Sequence, residues 1–260
     1  MHWDLNDVNI KSEAFAISFV GGFAEYRRLG KPREALQVLT LYHCADARSF
    51  RPLWTLEELG LTYQLRMLPF PPRFLARDYL AINPLGTVPT LVDDDLRMTE
   101  SVAMIQYLAA RHGTGKLDVP NDDTRYGAYL NWLHFGEATL TFPQTLVLRY
   151  SRLEPEARRL PQAAEDYRRL FLSRLRAVEA AVRDQPYLCG EAFTGADISV
   201  GYALLLAHTL GIDGAFEGSI RAYWDRLTSR EGYRRARRIQ AQAASEQGVE
   251  AAAITDLAGR

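Results

Sequence analysis

"NPLGTVPTLVDDDLRMTES", residues 83–101, sets two short apolar runs around an acidic turn and puts a proline, Pro89, where the first run should be pairing. Proline donates no backbone hydrogen bond, so within a sheet it is confined to edges, ends and bulges. Val88-Pro89 therefore has two readings. Either Pro89 merely starts a strand, or the pair forms a turn, cis or trans, that frees the N–H and C=O of Val88 for another partner. An extended peptide laid antiparallel to Val88 would satisfy both groups. Glu100-Ser101 stands where the second strand meets a helix, so Ser101 is a candidate cap, and the free N–H groups of the first helical turn form an anion site. Glu100 offers a carboxylate to an ammonium. The two residues match the opposite charges of an amino-acid head group, although helix capping alone also explains the serine.

Working outward, "LQVLTLYH" (36–43) is a β-branched and aromatic strand, and "ADARSFRPLWTLEELG" (45–60) carries Phe50, Leu53, Trp54, Leu56 and Leu59 at helical spacing until Gly60. "TYQLRML" (62–68) alternates as a second strand, and "PPRFLARDYLAIN" (71–83) predicts a helix opened by prolines. After the opening stretch, "SVAMIQYLAARHG" (101–113) places Val102, Ile105, Leu108 and Ala109 on one helix face. The order is βαβαββα over residues 37–115. Beyond the linker "GTGKLDVPNDD" only helical patterns follow, over 122–242: an aromatic-rich helix over 124–150 interrupted near Pro143, an amphipathic one over 161–185, a nearly all-apolar one over 193–211, and a last one over 219–240. Thr194 with Asp197 three residues later has the capping-box form, which makes both folding residues. Residues 1–36 read as an appended segment and 243–260 as a small-residue tail. The fold class is an α/β domain followed by an all-helical one.

The chain of 260 residues is 47% hydrophobic with a formal net charge of -1, which gives no long-range pull toward nucleic acid or anionic membrane. The apolar run at 14–24 is too short to span a bilayer. Cys44 and Cys189 have no Cys-x-x-Cys spacing, and His43, His112, His134 and His208 lack ligand spacing, so no metal site is expected and a reducing, cytoplasmic setting fits. The basic run "RRARR" (234–238) reads as a solvated helix face.

"LYHCADARSFRPLWTLEELGLTY", the opening stretch and "YLCGEAFTGADISVGYAL" together resemble the soluble, bacterial-type glutathione transferase family over roughly residues 36–240. The resemblance implies a thioredoxin-like N-terminal domain, a helical C-terminal domain, a homodimer, and glutathione as a cosubstrate with no permanently bound cofactor. It also implies that Pro89 is cis, that Val88 pairs with the cysteinyl backbone of glutathione, and that Glu100 and Ser101 hold its γ-glutamyl end. Arg73 is a candidate for the glycine carboxylate by position.

Catalysis needs the thiolate, and a free thiol has a pKa of about 8.5. In this family the donor that stabilises it lies between the first strand and first helix, where similar bacterial sequences carry a serine and this chain carries Ala47. Ser49 is then the first expectation for the donor, with Arg48 as an electrostatic partner; Ser49 as a helix cap is the alternative, and Tyr42 is a weaker candidate. A small apolar electrophile is expected over the aromatic helix, against Tyr126, Tyr129 and Trp132. The expected activity is conjugation of the thiolate to that electrophile. Two alternatives remain: thiol-disulfide exchange through Cys44 or peroxide reduction by glutathione, and a non-catalytic glutathione-binding or regulatory protein of the same fold.

Overall fold

A computed structural model describes residues 39–249 of the chain. The segment expected at 1–36 and residues 250–260 of the tail lie outside the described residues. Four strands, β1 (Leu39–His43), β2 (Tyr63–Met67), β3 (Thr90–Asp93) and β4 (Leu96–Met98), form one sheet in the order β2-β1-β3-β4. β1 and β2 run parallel, whereas β1–β3 and β3–β4 are antiparallel. A parallel pair needs a crossover, and helix α1 (Phe50–Leu59) provides it. The spacing read from the sequence explains its packing: Phe50, Leu53, Trp54 and Leu56 are all fully buried.

The helix expected over 71–83 is shorter. Helix α2 (Pro72–Leu75) ends where Ala76 leaves helical backbone at φ -134° and ψ 69°, and a 3-10 turn (Arg77–Ala81) follows. This turn buries Tyr79, whose hydroxyl bonds the Thr87 carbonyl at 2.7 Å and the Thr90 hydroxyl at 2.6 Å. Asn83 Nδ2 donates to the same carbonyl at 2.8 Å. The chain just before Pro89 is thereby pinned from two sides. Helix α3 (Ser101–His112) packs on α1 and buries Val102, Ile105, Leu108 and Ala109 as their spacing predicts.

In the helical part, α4 (Tyr126–Phe135) continues through a π turn (Gly136–Thr141) into α5 (Phe142–Leu148) and a second π turn (Arg149–Leu153). The interruption expected at Pro143 is this first widened turn. Pro143 itself lies in the first turn of α5, where a missing N–H is tolerated. Helix α6 (Pro161–Ala181) is amphipathic, and α7 (Gly195–Thr209) is the buried centre, buried from Gly195 to Ala207. Asp197 holds its start: its carboxylate accepts from the Thr194 N–H at 2.8 Å, the Leu188 N–H at 2.9 Å and the Tyr223 hydroxyl at 2.8 Å.

The single helix expected over 219–240 is two, α8 (Gly218–Ser229) and α9 (Glu231–Glu246), because Arg230 turns to extended backbone at ψ 139°. Helix α9 thus runs past residue 242 into the expected tail. Its basic run is not wholly solvated. Arg235 pairs with Glu57 at 2.9 Å and Arg237 pairs with Asp46, so α9 is clamped to α1 and to the loop before it.

One buried polar chain sits beneath this clamp. His43 Nε2 donates to Gln240 Oε1 at 2.9 Å, and Gln240 Nε2 donates to Asp46 at 2.7 Å. Burial pushes the His43 imidazole down to about 4 against the Gln240 hydrogen bond, so the folded chain refuses a proton that the unfolded chain takes up near 6.5. Stability due to a neutral His43 is therefore complete above about pH 6.5 and declines as pH falls toward 4. Urea unfolding of the wild type and His43→Gln across that interval tests this: their difference should shrink by on the order of 3 kcal/mol at the acid end, and a pH-independent difference would refute it.

Candidate functional site

A cleft of about 710 Å³ opens between the sheet's loops and the helical part. One wall comes from the stretch around Pro89. The Val88-Pro89 peptide is cis, and β3 begins only at Thr90. Among the described residues no hydrogen bond takes up the Val88 N–H or C=O. Gly86, at φ +60°, passes so close to α2 that an added Cβ would lie 2.5 Å from Arg73 Cβ, so only glycine brings Arg73 beside Val88. Glu100 occupies the N-cap position of α3 in extended backbone, and Ser101 is its first helical residue, not the cap expected. Arg73, Val88, Pro89, Glu100 and Ser101 all line the same cleft.

The floor is a charged cluster. Arg51 has a fully buried side chain on α1, and its guanidinium donates to Glu137 at 2.5 Å, Ser101 Oγ at 3.1 Å, Thr141 Oγ1 at 2.8 Å and the Gly136 carbonyl at 3.2 Å. Its face lies 4.4 Å from the centre of the Tyr202 ring, a cation–π stack. The π turn makes the cluster possible, because it widens the helix at Gly136 and aims Glu137 at two arginines. The other Glu137 oxygen takes Arg48 Nε at 2.7 Å, while Arg48 Nη2 donates to Thr145 at 2.9 Å. Burial alone would raise the Glu137 carboxyl; Arg51 and Arg48 outweigh it and hold the group below the usual carboxylate range. Burial likewise works against the charge on Arg48, and Glu137 overcomes it. Arg51 lies beneath the lining, so the cationic group this cluster presents to the cleft is Arg48, which Glu137 and the nearby Glu100 both face. None of Arg51, Glu137 and Tyr202 was singled out from sequence; an arginine inside the apolar stripe of α1 was the available signal.

Several expected residues lie elsewhere. Ser49 is fully buried and turned inward: its hydroxyl accepts from the Cys44 N–H at 3.2 Å and donates to the Cys44 carbonyl at 3.3 Å, closing its own loop. It does not line the cleft, and although it stands at the N-cap position of α1 its side chain makes no capping bond to that helix. Arg48 does line the cleft. Tyr126, Tyr129 and Trp132 do not: Tyr129 is fully buried and Trp132 stacks edge-on against Phe135, because the first turns of α4 pack on α7 away from the opening. Leu148, Leu153 and Leu206 form the apolar wall instead, rimmed by Arg149, Glu154 and Arg158. Cys44 is fully buried with its sulfur 3.8 Å from the Pro69 carbonyl, and burial pushes its thiol up to about 12.

Residues 47–111 match the glutathione S-transferase N-terminal domain, and residues 161–238 match the glutathione S-transferase C-terminal domain. Glutathione S-transferase GstB of Escherichia coli (strain K12) is 31% identical over 189 residues, 70% of this chain and 89% of that protein. The chain belongs to the glutathione S-transferase family. Members of this enzyme family with which it aligns include glutathione S-transferase 3 of Schizosaccharomyces pombe, 31% identical over 103 residues, which are 40% of this chain and 43% of that protein. The structure of the glutathione transferase URE2P6 from Phanerochaete chrysosporium, in complex with oxidized glutathione, superposes with a TM-score of 0.71 at 28% identity, covering 80% of this chain and 98% of that one. Family membership accounts for the thioredoxin-like sheet followed by helices. Among the described residues no helix is long and apolar enough to cross a membrane.

The floor also carries stability. Glu137→Ala should cost about 3–5 kcal/mol in urea unfolding, because it strands the buried Arg51 charge. Arg51→Met with Glu137→Leu should recover most of that loss, and a Glu137→Ala cost below about 1 kcal/mol would contradict the coupling.

Proposed function

We propose that this family member binds glutathione in the cleft and joins its sulfur to a small electrophile with an apolar body. The observation that carries this is the unpaired backbone of Val88 in the same cleft as Glu100, Ser101 and Arg73. Glutathione has complementary groups in the matching order. Its cysteinyl backbone pairs with Val88, its α-ammonium meets the Glu100 carboxylate, and its α-carboxylate meets Ser101 and the first N–H groups of α3. Arg73, exposed beside Val88, takes the glycine carboxylate. Arg48 favours the thiolate over the thiol, with the N-terminus of α1 adding to the same field.

The electrophile rests on Leu148, Leu153 and Leu206, and glutathione acts as a cosubstrate. The chain pairs as a homodimer through the exposed Phe74 and Leu75 on α2 and Leu85 in the turn before Gly86, which lie 63%, 55% and 66% accessible. Thiol-disulfide exchange through Cys44 has no support, since that thiol is buried and held protonated.

Glu100→Ala should lose retention on immobilised glutathione, with binding weakened about tenfold or more and unfolding unchanged. Conjugation of a generic aryl halide should fall in parallel. Retention equal to the wild type would defeat the proposed orientation.

A further inference from the structure

We infer that the Tyr202 hydroxyl, on α7, makes the hydrogen bond to the glutathione sulfur for which Ala47 has no side chain. This rests on the proposed binding of glutathione at Val88. The β1–β3 pairing sets Tyr42 opposite Thr90, and continuing that antiparallel register beyond both strands brings the 44–48 loop across from Val88. A cysteinyl residue paired to Val88 therefore turns its sulfur toward that loop.

The loop's own side chains are occupied or absent. Ala47 has none to offer, Ser49 is bonded internally to Cys44, and the Asp46 carboxylate is held by Gln240 and Arg237. Among the cleft hydroxyls, Thr87 accepts from Asn83, Thr99 lies beside Glu100 at the start of α3, Thr145 accepts from Arg48 and donates to the Thr141 carbonyl, and Ser101 accepts from Arg51. Tyr202 lines the cleft with its oxygen 3.3 Å from the Asp46 carbonyl, the residue just before Ala47. A hydrogen bond of that length is at the weak end of the range, so turning the hydroxyl from this carbonyl to a sulfur anion exchanges a weak neutral bond for a charge-assisted one. The ring is clamped under the Arg51 guanidinium, which fixes where the oxygen points.

The phenol stays a donor throughout. Burial pushes it up to about 12 against the pull of Arg48 and Arg51, so it keeps its own proton at neutral pH. The proton released by the thiol leaves to bulk water through the open cleft. No bond to Tyr202 forms or breaks.

Ultraviolet titration of the thiolate in bound glutathione tests the assignment on wild type, Tyr202→Phe, Ala47→Ser and the double variant. Tyr202→Phe keeps the ring beneath Arg51, and it should raise the apparent thiol pKa by about one unit and lower kcat/KM at neutral pH about tenfold, with glutathione affinity within about twofold. Ala47→Ser should restore both in the Tyr202→Phe background and change the wild type by less than about twofold. An unchanged thiol pKa in folded Tyr202→Phe overturns the inference. So does a fall of a full unit on adding Ala47→Ser to the wild type, an arm that does not depend on Tyr202→Phe folding. Loss of glutathione retention by the wild type itself would defeat the binding proposal at its root, whereas retention with an unmoved pKa defeats only the role of Tyr202.

Discussion

A guanidinium with no solvent contact is tolerated only where its charge and its donors are met, and Arg51 has both needs supplied from outside its own helix. The partners come from α3, the π turn after α4, and α7: Ser101, Glu137, Gly136, Thr141 and the Tyr202 ring. Desolvating an unpaired charge costs several kcal/mol, so the sheet's helix and the helical part cannot shift against each other without exposing that cost. Within the helical part, the close approach at Gly136, where an added Cβ would lie 2.4 Å from Ser199 Oγ, packs the π turn onto α7 and so holds two of the Arg51 partners together. The second oxygen of Glu137 then fixes Arg48 at the cleft, so one carboxylate serves the core and the site together.

The cleft inherits its division of labour from this joint. One wall is a backbone edge and a helix start, built from residues 86–101, and it is rigid because Tyr79 and Asn83 pin the chain just before Pro89. The facing wall belongs to the helical part, with leucines for an apolar body and a rim of ion pairs around Glu154. Between them Arg48 presents a guanidinium to the cleft. The proposed ligands, a zwitterionic tripeptide and a neutral apolar partner, match these surfaces in character.

Much of this architecture was legible. The period of the apolar residues in α1 and α3 and the Thr194–Asp197 cap of α7 all hold, because each depends on contacts within a turn or two of helix. The failures share a different cause. Tyr126, Tyr129 and Trp132 mark a helix that packs, but composition carries no direction, and α7 claims the face that holds Tyr129. Ser49 lies two residues from Ala47, yet in a tight loop that offset turns its hydroxyl to the Cys44 backbone. The run at 234–238 looked solvated until Glu57 and Asp46, far away in the chain, were found beneath it.

The sequence by itself determined the order of strands and most helices and marked Val88-Pro89 and Glu100-Ser101 as places to look, since periodicity, proline geometry and helix starts act over a few residues, whereas the free edge at Val88 was settled by the fold. Only the tertiary structure decided the charged floor of the cleft. Arg48 and Arg51 meet Glu137 across separations of 89 and 86 residues, and Tyr202 reaches Asp46 across 156. Such contacts are chosen by how helices pack and where a π turn rotates one side chain, and no local pattern encodes that rotation.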